Sequence, residues 1–128
     1  STPLYSSAAS DVYKRQALLV HAMKDAPEEL FAGTEDHLHQ QYRASAMVPS
    51  ASLVAHLRGR GHAAIISGAG PTVLALAGSE EESKRIVAAI EALNSGDLDQ
   101  ADDQDITWNV ERLTVDRNGV IVEHNKPV

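Results

Sequence analysis

Cysteine is absent from the 128 residues, which excludes disulfides, thiolate metal ligands and thiol nucleophiles. That absence fits a reducing compartment, and a cytoplasmic location is the expectation. Aromatic residues make up only 4% of the chain, so a core has to be assembled from Ala, Val, Leu and Ile. Basic residues are outnumbered: the formal net charge is −7, which argues against a nucleic acid or a polyanionic membrane as the main partner. No apolar run approaches the roughly 20 residues that a membrane span requires. No internal repeat or low-complexity linker is found between residues 17 and 128. Hydrophobic residues at 43% and charged residues at 23% are ordinary for a globular protein. A chain of this length forms one domain and buries roughly two thirds of its unfolded surface.

The stretch around which the chain is organised runs from Ala64 to Leu76. Apolar residues lead into Ser67-Gly68-Ala69-Gly70-Pro71, and a β-rich run follows. Glycines at 68 and 70 admit positive φ and leave backbone amides uncovered, while Pro71 suits the first position of a strand. The pattern predicts strands over 63–67 and 72–77 joined by a tight loop at a sheet end. Successive amides in such a loop form a concave nest that an anion can approach; a plain glycine-rich turn is the competing reading. The loop is not a Walker motif, since no Gly-Lys-Ser/Thr follows, and it lacks the third glycine of a dinucleotide fingerprint.

Elsewhere, residues 17–23 read as the end of a helix. Pro27 with Glu28 and Glu29 marks the start of another, with a kink or a fresh N-cap at Thr34. Pro49 opens a helix that carries Leu53, Val54 and Leu57 on one face and stops near Gly59 and Gly61. Ser79 followed by Glu82 is a capping-box start for a helix with Ile86, Val87, Ile90 and Leu93 on a stripe. Residues 94–105 read as a polar surface loop. Residues 106–115 read as a strand with a bulge near Glu111 or Arg112, and Asp116-Arg117-Asn118-Gly119 reads as a hairpin turn returning through 120–122. This order predicts an α+β fold, with helices on one face of a mainly antiparallel sheet.

Ile66-Ser67-Gly68-Ala69-Gly70-Pro71-Thr72 is similar to the third motif of the GHMP small-molecule kinases. Upstream, Thr34-Glu35-Asp36-His37-Leu38-His39-Gln40-Gln41-Tyr42-Arg43 resembles the homoserine kinase branch of that superfamily, where an acidic pair precedes a helical stretch ending in arginine. The resemblance covers residues 17–128 and only the C-terminal part of such an enzyme. It implies a ferredoxin-like C-terminal domain, with an N-terminal ATP-binding domain outside this chain. It also implies phosphorylation of the L-homoserine hydroxyl from ATP with Mg2+ in threonine biosynthesis, the nucleotide and metal being held mainly by the other domain. A homodimer is left open for the intact enzyme. Residues 1–16 resemble the translation of a sequencing adapter, and are expected to be a non-native, disordered leader outside the fold.

Arg43 presents a planar fork of donors that can clamp a carboxylate, and the resemblance assigns it to the homoserine carboxylate. On its own residue type it reads rather as a solvated arginine near a helix end, and it is the resemblance that reverses this. Ser67, Gly68 and Gly70 are, by resemblance, the loop that closes the site beside the other domain's phosphate loop. Glu35 and Asp36 diverge by about 100° if helical, so they do not readily share one ion. The 6 histidines lack ligand spacing, with His37 and His39 two apart, and no metal site is expected. The catalytic groups are expected outside this chain. Two rivals share many of these features: a GHMP kinase for another small alcohol, such as an isoprenoid precursor, and a ferredoxin-like module that binds a regulatory ligand.

Overall fold

The computed structural model describes residues 4–35, 45–96 and 106–123. Helix α1 spans Leu4–Lys24, and a 3-10 turn at Pro27–Glu29 leads into the short α2, Leu30–Gly33. Helix α3 spans Val48–Gly59, strand β1 Ala63–Ile66, strand β2 Val73–Leu76, and helix α4 Glu80–Asn94. The two strands are antiparallel, with Ala63 opposite Leu76 and Ile66 opposite Val73. The result is an α+β fold. None of the described helices is long and apolar enough to cross a membrane.

Strand alternation explains how helices and sheet share the core. Ala63 packs with Ala22 and Leu30, and with Leu19 and Leu76, on the side of α1 and α2. Its neighbour Ala64 turns the other way and packs with Leu53 and Leu57 of α3, Ile86 and Ile90 of α4, and Val73 and Ala75 of β2. Successive side chains point to opposite faces, so two adjacent buried alanines place apolar contacts on both sides of the sheet. Helices α1 and α2 therefore meet the side of Ala63, and α3 and α4 the side of Ala64. Alanine suits this position because helices on either side need close approach to the backbone.

Each helix begins or ends for a local reason. Ser79 accepts the Glu82 amide at 3.1 Å, while Glu82 Oε2 accepts the Gly78 amide at 2.9 Å, so the expected N-terminal box is formed with the preceding glycine. Thr34, where a kink or a fresh N-cap was expected, closes α2, its hydroxyl donating to the Leu30 carbonyl at 2.8 Å; residues 36–44, which would continue any new helix, lie outside the described residues. At Gly33 the reason for glycine is contact: a Cβ there would meet Leu19 Cα at 3.0 Å, so α1 and α2 touch backbone to backbone.

Two expectations differ from the structure. Residues 4–16 were read as lying outside the fold in a disordered leader, yet they form the first part of α1. Arg15 ties that segment down: it bonds Asp11 at 2.9 Å, the Ala32 carbonyl at 3.1 Å and Glu35 at 2.6 Å. Tyr13, by contrast, is 73% exposed. The second concerns 106–123, which were read as two strands and a bulge. No ladder forms there among the described residues, and the sheet has two strands. Trp108 and Val110 pack against the Leu53–Leu57–Ile86 cluster, but the backbone is held by side chains of α4. Asn94 supplies both halves of a peptide-like clamp, donating to the Trp108 carbonyl at 2.9 Å and accepting its amide at 2.8 Å.

Candidate functional site

The 67–72 loop joins β1 to β2 and is closed by two internal bonds. The Ser67 amide donates to the Thr72 carbonyl at 2.8 Å, and the Gly70 amide to the Ser67 carbonyl at 2.9 Å. Gly68 has φ 55° and Gly70 has φ 77°, backbone that a side chain would strain. The nest expected from sequence is therefore smaller than its length suggests, because the amides of Ser67 and Gly70 are used inside the loop. Those of Gly68 and Ala69 have no partner among the described residues, and both residues are exposed.

Helix α3 supports this loop from beneath. A Cβ at Gly70 would collide with Met47 Sδ, the residue that precedes α3, and would lie 3.1 Å from a methyl of Ile66. Ser50, in the first turn of α3 and only 1% exposed, donates its hydroxyl to the Pro71 carbonyl at 2.5 Å. Neither contact was read from the sequence. Pro49 and Ser50 carry an ordinary helix-start signal, and nothing local reveals that the hydroxyl faces a loop 21 residues on.

The far end of α3 holds the end of α2. The Arg58 guanidinium donates to Thr34 Oγ1 at 2.9 Å, the Phe31 carbonyl at 2.9 Å and the Ala64 carbonyl at 3.3 Å, and lies 4.2 Å from the Phe31 ring centroid. Burial lowers its pKa, with Glu35 pulling the opposite way and Arg15 reinforcing the fall. An arginine in this place satisfies carbonyls that a helix end leaves without intrahelical donors. Glu35 faces Arg15, so the acidic pair is engaged in an ion bridge at its first member. Asp36, His37, His39 and Arg43 lie outside the described residues, as does His124. Thus Ser67, Gly68 and Gly70 are placed in one loop, and Arg43 is not placed relative to them.

The described histidines serve separate local contacts. His62 is buried beside Glu82, at 3.3 Å from Nδ1 to Oε1. His56 Nδ1 faces Arg60 at 3.0 Å; a guanidinium only donates, so this nitrogen accepts and the proton sits on Nε2. Burial lowers the His56 pKa, and the Arg60 charge adds to the effect. Among the described residues no group of three or more His, Cys, Asp or Glu side chains could hold a metal ion.

The hairpin and helices α3 and α4 that back it lie in a stretch of sequence that matches a known domain family. Residues 15–96 match the family described as GHMP kinases C terminal, and the chain belongs to that family. Among its relatives, the homoserine kinase of Streptomyces coelicolor is 46% identical over 108 residues, 84% of this chain and 30% of the relative. The homoserine kinase of Clavibacter michiganensis subsp. michiganensis is 42% identical over 109 residues, 85% of this chain and 31% of its own length. That of Cutibacterium acnes is 53% identical over 70 residues, 55% of this chain and 23% of the relative. The chain thus spans less than a third of the length of these relatives. The family match begins at residue 15, where Arg15 makes its contacts with Ala32 and Glu35.

Proposed function

We propose that residues 17–128 act as the C-terminal domain of a homoserine kinase, an enzyme that transfers the ATP γ-phosphoryl group to the L-homoserine hydroxyl. The observation that carries this reading is the likeness to homoserine kinases at 42–46% identity over most of the chain. In this reading Arg43 grips the substrate carboxylate through two parallel bonds, which leaves the hydroxyl free to react at the other end. The 67–72 loop lines the phosphate side. Connectivity supports the pairing: Arg43 precedes Met47, whose sulfur lies against Gly70, by four residues, at most about 14 Å of chain.

Phosphoryl transfer needs positioning and cations around the transferred group. The loop offers the amides of Gly68 and Ala69 and, among the described residues, no acidic cluster for a metal. In this reading ATP and Mg2+ are held mainly by a further domain, as the likeness to GHMP kinases implies, and the contribution of this chain is to bind substrate and complete the enclosure.

The test combines this chain with the portion of the Streptomyces coelicolor enzyme that it does not match. ATP-dependent formation of O-phosphohomoserine by the mixture is the expected result. Turnover of an isoprenoid-type alcohol in preference to homoserine would overturn the substrate assignment. Arg43→Lys should raise the homoserine KM by the equivalent of about 1.5–3 kcal/mol, since an ammonium cannot reproduce the fork. The KM for ATP should change far less. Calorimetry of this chain alone with Mg–ATP should show no micromolar binding.

A further inference from the structure

We propose that Ser50 is a positioning residue for the 67–72 loop, a role that extends the kinase reading above and rests on it for its consequence. The hydroxyl is almost wholly buried and its bond to the Pro71 carbonyl crosses from one element to another. A hydroxyl in the first turn of a helix ordinarily turns back to the backbone of its own helix. Here it reaches a loop carbonyl instead, next to Gly70, the residue on which Met47 is seated.

The geometry explains why one hydroxyl can govern a whole loop. The Ser67 amide is bonded to the Thr72 carbonyl and the Gly70 amide to the Ser67 carbonyl, so the loop is a small closed ring of bonds. Pro71 has no amide with which to join that ring, and its carbonyl is the handle by which α3 holds it. With the ring held from beneath, Gly68 and Ala69 stay exposed and their amides have no partner among the described residues. Loss of the handle frees the ring to rotate and draws those amides out of register with whatever they face. Met47 restricts the approach on the Gly70 side, and Ser50 fixes the direction.

The experiment measures amide hydrogen exchange residue by residue in the 128-residue chain, without any ligand. In Ser50→Ala the amides of Ser67 and Gly70 should exchange at least tenfold faster, while those of Ile86 and Ile90 in α4 keep their rates after correction for global stability. Ser50→Thr retains the hydroxyl and should restore slow exchange in the loop. Ser50→Cys, with a weaker donor, should fall between the two and serves if alanine or threonine unfolds the chain. Unchanged loop exchange in the alanine or cysteine variant overturns the proposal, as does equal acceleration in α4. A second measurement uses the reconstituted mixture with the Streptomyces coelicolor portion: Ser50→Ala should lower kcat and leave the homoserine KM within about twofold. If the unsubstituted mixture is inactive, the kinase reading fails, while the exchange rates still decide the positioning role.

Discussion

The 63–76 hairpin and the stretch from 106 to 123 invite comparison, because both run apolar residues into a glycine-bearing turn and out again. In the first, four residues pair with four in a regular antiparallel ladder. In the second there is no ladder among the described residues, although the turn chemistry is present: Asp116 accepts the Asn118 amide at 2.9 Å and Gly119 has φ 69°. The difference lies in what each stretch rests on. Ala63 and Ala64 are buried between helices on either face, whereas Leu113 is 84% exposed and Val120 is 92% exposed. Alternation and a turn make a strand available; a surface to bury it against makes it form.

The sharpest way to break this comparison is to remove one apolar side chain from each region. Leu57 is fully buried and touches the inner face of the hairpin, so Leu57→Ala should cost about 2–5 kcal/mol in denaturant unfolding. Leu113→Ala should change stability by about 0.5 kcal/mol or less, as for other exposed positions. Equal losses at the two sites would mean that the 106–123 stretch is packed in solution.

That contrast also marks what the sequence made legible. The two strands, their loop and the capped helix α4 were readable within a residue or two, because glycine, proline and a serine–glutamate pair act through local geometry. The roles of Ser50 and Arg58 were not, since each is defined by a partner 21 to 27 residues away that no spacing rule brings together. The helix through residues 4–16 was missed for a related reason: Arg15 gains its place from Ala32 and Glu35, not from its neighbours in α1 alone. For the 106–115 stretch the alternation was real, and Trp108 and Val110 do face the core, but no second strand lies beside it to complete a ladder among the described residues.

The second prediction compares two glycines inside the hairpin loop. Both have positive φ, but only Gly70 is hemmed in, by Met47 and Ile66; nothing lies within 4 Å of a Cβ at Gly68. Gly68→Ala should therefore cost about 1–2 kcal/mol from backbone strain alone. Gly70→Ala should cost more, about 2–4 kcal/mol, because Met47 must also shift. Pairing Gly70→Ala with Met47→Ala should recover part of the difference, and a double-mutant cycle by chemical denaturation measures it. Additive losses would show that the sulfur does not bear on the loop.

A third variant tests how the C-terminal stretch is held without a ladder. Asn94→Ala removes both bonds to Trp108 and should cost about 1 kcal/mol, the worth of exposed hydrogen bonds. Trp108 is the single tryptophan, so its emission reports the release directly and should shift to the red. Hairpin amides should be unaffected. An unshifted spectrum would mean that packing against the Leu57 cluster, rather than the carboxamide clamp, keeps Trp108 in place.

The smallest effect belongs to the exposed end of the same stretch, where Arg112 donates to Glu80 at 2.5 Å and to Ser83 at 3.1 Å. The Arg112 hydrogen bond, and then its charge, lower the Glu80 pKa from its ordinary value of 4.5. A carboxyl with a depressed folded pKa adds stability above its unfolded value and loses it as pH falls through the folded one. The bridge should accordingly be intact at neutral pH and fade in acid, at a pH below the ordinary 4.5, as Glu80 takes up its proton. Both partners are largely solvent-exposed, so the contribution is screened and should weaken further with added salt. Stability measured from pH 7 to pH 3 should fall slightly less steeply in Arg112→Gln than in the unsubstituted chain, and the gap should close in high salt. The opposite sign, a steeper acid loss in the variant, would mean that Arg112 does not depress Glu80 and that Ser83 alone holds that end of the stretch to α4.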